Sequence, residues 1–470
     1  MKLDIKKFIP KIQFKQIKFT KINLKLPKKQ LITIAIILAV IILAVVGRKS
    51  PFGQDWNKVL PDSSIFDENS PKSADDNKYT AFFFEVYDLI LQKYWNQLSD
   101  EQLINLTKLA MEKITEQPVL GTIATRQDLR ENIIKTMENK NEVEKKDFIA
   151  KITDLVLANL EPFGRSRLYT SKKQQELSNT VKNVNPDINH YDILGVDKNA
   201  SKEQVSLAYN QKLNELKNKG QTPETKQDLA NVEKAYEVLT DEGNKKVYDD
   251  VGANPTMPSR LISPRIYYVH ITKFSPTTVE ELKRVMDKVD QGDQLDTLIL
   301  DLRGNIGGAI DGLPYFLGPF IGNNQHAYQF FARGNKEDFI TKTGWIPSLV
   351  RYKKVVILTD KQVQSSAEVF AAVLKKYNVG IIVGTATKGW GTVESVFKIN
   401  NQPDSENETY SVLLVHSLTL REDGVPIEGK GVDPTVSTDL PNWEGEFNRY
   451  FNFPELTGAV RQLLSAPPTI

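Results

Sequence analysis

The stretch from residue 354 to residue 393 constrains the fold more than any other part of the chain. Val355 to Leu358 is a short β-branched apolar run, the mark of a buried strand. A polar turn follows, and Ser365-Ser366-Ala367-Glu368 opens an apolar helical run from Val369 to Leu374. Gly380 closes that helix, and Ile381-Ile382-Val383 is a second buried strand running into a Gly-rich turn. Strand, helix and strand in this order read as an α/β core. A serine at a strand-to-helix turn stands where hydroxyl nucleophiles are often found, because the helix N-terminus offers unpaired N–H groups to an oxyanion.

These residues resemble the core of the C-terminal processing (tail-specific) peptidases. The family pattern is a strand, Ser-Ala-Ser-Glu before a helix, then Val-Gly-x-x-Thr-Phe-Gly-Lys-Gly. The resemblance implies a ClpP/crotonase-like β-α core and a Ser–Lys dyad. Aligning Glu368 and Gly384 without a gap puts Ser365 on the nucleophile and Trp390 on the general-base lysine. Lys388 lies two residues earlier, and Lys376 stands where the family has an acidic residue. Glu368 resembles a residue that supports the site, and Thr387 one that positions the lysine. Read without the family, Glu368 complements a helix dipole and Thr387 is an ordinary turn residue.

A second motif agrees. Leu298-Ile299-Leu300-Asp301-Leu302-Arg303-Gly304-Asn305-Ile306-Gly307-Gly308 is a buried strand ending in a Gly turn. Alone it fits a phosphate loop or a plain tight turn. Paired with the serine motif downstream, it looks like the family's Leu-Asp-Leu-Arg-x-Asn-x-Gly-Gly. The resemblance makes Gly307 or Gly308 one oxyanion donor and the Ser366 N–H the other. Gly424 to Pro434 resembles the closing Ile-Gln-Gly-Lys-Gly strand, and Leu160-Glu161-Pro162 with Tyr169 the end of the family's helical N-terminal region.

Three options follow for the base. Lys388 serves if the turn brings it close, since residues two apart in a strand share a face at a separation of ~6.6 Å. Alternatively Trp390 fills the pocket and only a peptide-binding groove remains. Third, one of the four histidines, His190, His270, His326 or His416, replaces the lysine. A lysine works as a base only when desolvation lowers its pKa. Both an active serine peptidase and an inactive peptide-binding scaffold are therefore expected readings. No His-Glu-x-x-His pattern occurs, and no metal or other cofactor is expected.

The chain has 470 residues and no cysteine, which excludes disulfides, thiolate metal sites and a cysteine nucleophile. Residues 1–30 carry ten lysines against Asp4, and residues 31–47 are apolar apart from Thr33. This pattern predicts a transmembrane anchor with a cytoplasmic N-terminus and the bulk of the chain extracytoplasmic. A basic stretch abutting an apolar span argues against a nucleic-acid partner.

The remaining organisation is a linker at 48–78, a helical region at 79–177 and a peptidase-like core at 259–438, with a tail at 439–470. Within the helical region, Thr80 to Ile114 and Glu142 to Leu160 read as helices around a polar insert. Where the family has a PDZ module, residues 189–252 resemble a DnaJ-type J domain, through His190-Tyr191-Asp192-Ile193-Leu194-Gly195 and Ala235-Tyr236-Glu237-Val238-Leu239. Its His-Pro-Asp tripeptide is absent: the segment after the second helix reads Leu216-Lys217-Asn218-Lys219-Gly220. A chaperone ATPase partner is therefore not expected, and the module reads as a spacer or docking surface.

Overall fold

β3 (Ile266–His270) and β4 (Thr297–Asp301) are buried along their whole length, as parallel strands covered on both faces must be. They lie in a six-stranded sheet with β2 (Ser259–Ser263), β7 (Lys354–Thr359), β8 (Ile381–Gly384) and β11 (Val436–Ser437), in the order β11-β8-β7-β4-β3-β2. All neighbours are parallel except the β2–β3 hairpin. The computed structural model describes residues 77–468 apart from 120, 221, 290–293, 405–407 and 422. The expected lysine-rich segment, the membrane span at 31–47 and nearly all of the linker lie outside those residues. No helix among the described residues is long and apolar enough to cross a membrane.

A second, antiparallel sheet runs in the order β1-β10-β5-β6 with β9 also on β10. Its strands are β1 (Arg167–Thr170), β5 (His326–Ala332), β6 (Asn335–Ile340), β9 (Thr392–Lys398) and the long β10 (Tyr410–Leu420). The helices α1 (Lys78–Lys93), α2 (Asp100–Thr115), α3 (Arg126–Met137) and α4 (Glu142–Ala158) form the N-terminal region. Its core takes in Leu168, Ile399, Val412 and Leu414, so this region packs directly on the second sheet.

The expected helix from Thr80 to Ile114 is two helices. Ser99 starts α2 with a capping box closed by Gln102, and Trp95 between the helices donates its indole N–H to the Glu161 carbonyl at 2.7 Å. The polar insert holds α3, whose Thr125–Asp128 capping box and Leu129, Ile133, Met137 spacing carry its signal. The helix α5 (Ser171–Lys182) extends past the boundary expected at 177.

The module after α5 has its own small core, built by α6 (His190–Leu194), α7 (Lys202–Lys217), α8 (Pro223–Thr240) and α9 (Glu242–Val251). Its two ends are pinned together by a Val184–Ala253 bridge and by Asn254 N–H donating to the Asn183 carbonyl at 2.9 Å. On the core side it meets α10 (Thr278–Asp287): Arg284 bonds Asn244, and Lys288 pairs with Asp241. The module is thus an insertion whose ends meet, seated on one helix of the core.

The sequence past 439 has a structural role. Helices α13 (Trp443–Tyr450) and α14 (Pro454–Leu464) cover the outer face of the parallel sheet through Phe447, Leu456 and Val460. The Asp301–Arg303 pair anchors this cover. Asp301 is fully buried and takes Arg303 at 2.7 Å, while Arg303 donates to the Leu463 and Ala466 carbonyls at 2.8 and 3.0 Å. Arg303 therefore satisfies carbonyls that the end of α14 leaves open.

Candidate active site

The helix α12 (Ser366–Lys376) crosses from β7 to β8 on the inner face of the parallel sheet, with Val369, Phe370, Ala371 and Leu374 buried. Ser365 is its N-cap, at φ 57° and ψ −132°. A positive φ is costly for a residue with a Cβ, and such strain concentrates at functional sites. The turn is held from three sides. Gln364 N–H donates to the Asn305 carbonyl at 3.1 Å, and Ser365 N–H is shared between the Trp390 carbonyl at 3.1 Å and Glu368 Oε2 at 3.0 Å. Gly307 sits against it at φ +90°, where a Cβ would fall 2.7 Å from Ser365 Cβ.

Glu368 is fully buried and binds the whole loop. It accepts from Thr387 Oγ1 at 2.5 Å, Gly389 N at 2.7 Å and Trp390 N at 2.7 Å, besides Ser365 N. Burial raises its pKa, and the four donors oppose that rise. Thr387 passes the link on by accepting Val432 N–H at 2.7 Å. Both residues therefore hold the strand beside Ser365 in place.

The expected oxyanion donors separate. Gly307 N–H donates to Asn305 Oδ1 at 2.8 Å, so it is committed within its own turn. Gly308 is bracketed by Phe274, which bonds Gly307 O at 3.0 Å and Ala309 N at 2.7 Å. That pairing turns the Gly308 N–H to the side away from Phe274. Among the described residues, neither the Gly308 N–H nor the Ser366 N–H makes a hydrogen bond. Both free donors lie near the start of α12, where a Cβ on Gly307 would fall 3.1 Å from Ser366 N.

The position of the base is set by backbone pairing. Lys388 N–H donates to the Val363 carbonyl at 2.9 Å, and Ser365 N–H reaches the Trp390 carbonyl, so residue 390 lies directly beside the serine. The Lys388 side chain is exposed and donates to Gln364 Oε1 at 2.7 Å, with its ammonium 4.7 Å from the Trp390 ring centre. Desolvation, which a lysine base needs, is lacking there. Trp390 is clamped instead: the Arg165 guanidinium stacks 3.3 Å from its ring centre, and its indole N–H faces Glu394 at 3.3 Å. Arg165 also pairs with Glu428 at 3.1 Å, whose other oxygen accepts Gly391 N–H at 2.7 Å. Burial pushes the Glu394 carboxyl up.

The histidines are elsewhere occupied. His190 meets Asn254 at 2.6 Å, His270 the Arg303 carbonyl at 3.1 Å, His326 Asp338 at 3.2 Å and His416 Ser417 at 2.9 Å. Lys376 bonds His326 Nδ1 at 3.0 Å, at the end of α12 opposite Ser365. Arg165 was not legible as a site residue, although it follows the Pro162-Phe163-Gly164 turn that marks the end of the helical region.

Known proteins resemble two parts of the chain. Residues 265–438 match the model of peptidase family S41, and residues 189–249 match that of the DnaJ domain. The carboxy-terminal processing protease CtpB of Bacillus subtilis (strain 168) is 27% identical over 180 residues, which are 37% of this chain and 34% of CtpB. CtpA of the same organism is 29% identical over 189 residues, 40% of this chain and 38% of CtpA. The matched region thus spans little more than a third of these relatives' length. A photosystem II D1 C-terminal processing protease structure superposes with a TM-score of 0.43 at 14% identity, covering 76% of this chain and 92% of that one. Residues 265–438 therefore form a peptidase family S41 domain, with a DnaJ domain ahead of it at residues 189–249.

Proposed function

We propose that the S41 domain receives the tail of a protein or peptide beside Ser365 and holds it without hydrolysing it, as a membrane-anchored binding scaffold. The observation that carries this reading is Trp390: its backbone pairs with Ser365, and Arg165 stacks on its ring where a general-base side chain would emerge. A serine hydroxyl is a poor nucleophile until a base takes its proton, and a positioned base contributes roughly 10²- to 10⁴-fold. The groups that would bind a carbonyl, Gly308 N–H and Ser366 N–H, are retained. Residues 31–47 serve as the anchor, with the N-terminus cytoplasmic and the S41 domain outside. The lysine asymmetry around that span supports this topology.

A second reading is hydrolysis. Ser365 Oγ would attack the peptide carbonyl while Lys388 takes its proton and passes it to the amine that leaves as the C–N bond breaks; water would then hydrolyse the acyl-serine ester, releasing the carboxylic acid and restoring the serine hydroxyl. The reach of Lys388 to Gln364, next to the nucleophile, favours it.

Incubating the full chain with an unstructured peptide, followed by mass spectrometry, separates the two. The scaffold reading predicts that intact peptide persists and that Lys388→Ala changes nothing. Cleavage that disappears in both Ser365→Ala and Lys388→Ala would establish the dyad instead.

A further inference from the structure

We propose that a cavity along the far turns of α12 is a second binding site, which takes a carboxylate carrying a compact apolar body. The cavity measures about 190 Å³. On α12 it is lined by Val369, Ala372, Val373 and Lys376, which stand at i, i+3, i+4 and i+7 and so share one helix face. The first three are buried and make an apolar floor, in which Ala372 is the small residue that leaves room. Lys376 is exposed and lies ~16 Å along the helix axis from Ser365, so the charged rim stands at the end of α12 away from the serine. The facing wall is β5, whose bulge between His326 and Tyr328 lets consecutive residues line the space. The Tyr377 hydroxyl donates to the His326 carbonyl at 2.8 Å and ties the end of α12 to that strand.

The lining holds two permanent cations, Lys376 and Arg421, and no carboxylate. The acids that meet the rim lie outside it. Asp423 holds Arg421 at 2.6 Å, and Asp338 takes His326 Nε2 at 3.2 Å and the Gln329 amide at 2.7 Å. With its Nε2 proton on Asp338, His326 presents a lone pair at Nδ1, which accepts the Lys376 ammonium at 3.0 Å. The imidazole thereby aims the ammonium without neutralising it. Among the described residues no carboxylate pairs with Lys376, and two of its three N–H donors are left for a ligand. A carboxylate at the rim takes that ammonium in a charge-assisted hydrogen bond. Cavities of about 150 Å³ hold a benzene ring, so the floor behind the rim has room for an apolar group of roughly six carbons. An inorganic anion would leave the floor empty, and a hydrocarbon would leave the ammonium unpaired. A branched residue at a chain end and a free short carboxylic acid share the required chemistry.

The test is a ligand-observed NMR titration of the full chain in detergent, set against detergent alone, with 4-methylpentanoate, 4-methylpentanamide and N-acetyl-leucine. The expected result is that 4-methylpentanoate binds at least about tenfold tighter than its amide, that Lys376→Met removes this difference and that Lys376→Arg keeps it. Ala372→Leu, in a sample that still melts cooperatively, should abolish binding by filling the floor. N-acetyl-leucine binding as tightly as 4-methylpentanoate, and depending on Lys376, would make the ligand a chain end; weaker binding would make it a free acid. Acid and amide binding equally, Lys376→Met or folded Ala372→Leu binding like wild type, or no binding of either acid by folded protein would overturn the proposal. Nothing at Ser365 enters the test, so its failure would leave the peptide-binding reading untouched.

Discussion

Glu368→Ala is expected to lower the unfolding free energy by roughly 3–5 kcal/mol, the scale of a buried acceptor removed from several donors at once. Three backbone N–H groups, from Ser365, Gly389 and Trp390, and the Thr387 hydroxyl all end on its two oxygens. Without the carboxylate they are left facing a cavity that water reaches poorly, since Glu368 is fully buried. Glu368→Gln is expected to be nearly as damaging, because its amide NH₂ would point at groups that are themselves donors. The strained Ser365 turn should also relax, as its N–H loses one of its two acceptors. Urea unfolding monitored by tryptophan fluorescence checks the energy. A loss below about 1 kcal/mol would mean that water or a rearranged loop satisfies those donors.

Arg303→Ala is expected to cost about 3–5 kcal/mol, as for a buried ion pair broken from one side. Asp301 would stay fully buried with its charge, its remaining side-chain partner being the Tyr268 hydroxyl at 2.9 Å. The carbonyls of Leu463 and Ala466 would lose their donor as well, loosening α14 from the sheet. Limited proteolysis should then release the C-terminal segment early. Replacing the pair together, Asp301→Asn with Arg303→Met, should recover much of the loss, because no uncompensated charge is left inside. If the single and double variants unfold alike, the contribution of Arg303 is packing rather than charge.

The parts of the fold that were legible are those where local pattern and tertiary role coincide. The β7–α12–β8 unit reads directly from two β-branched runs flanking a helix opened by serine and glutamate, because strands buried on both faces leave no polar alternation to confuse. The choice of Ser365 and Trp390 came from the family resemblance, aligned without a gap on Glu368 and Gly384. What spacing does not decide is how Lys388 sits. Its strand pairs residue 388 with 363 and 390 with 365, and this pairing sends the lysine to Gln364 and into solvent. The commitment of Gly307 N–H to Asn305 was also hidden, since either glycine of the pair has the freedom to turn inwards.

Arg165 was missed for a different reason. It meets the site from a segment distant in sequence and belongs to no periodic pattern or charge cluster. A lone basic residue in such a segment reads as solvated surface until the fold places Trp390 beside it. The β5–β6 hairpin escaped because its second strand, Asn335–Ile340, is mostly exposed and polar, so no alternation announces it.

On the proposed reading, Ser365 keeps its oxyanion donors and its strained turn but has no base. Reaction of the full chain with a serine-directed fluorophosphonate, set beside Ser365→Ala and Trp390→Lys, measures this at the hydroxyl itself. Wild-type labelling no faster than that of Ser365→Ala is expected, with Trp390→Lys the variant that gains reactivity. Ser365-dependent labelling of the wild-type chain would contradict it, and would make the residue that activates the serine the next thing to find.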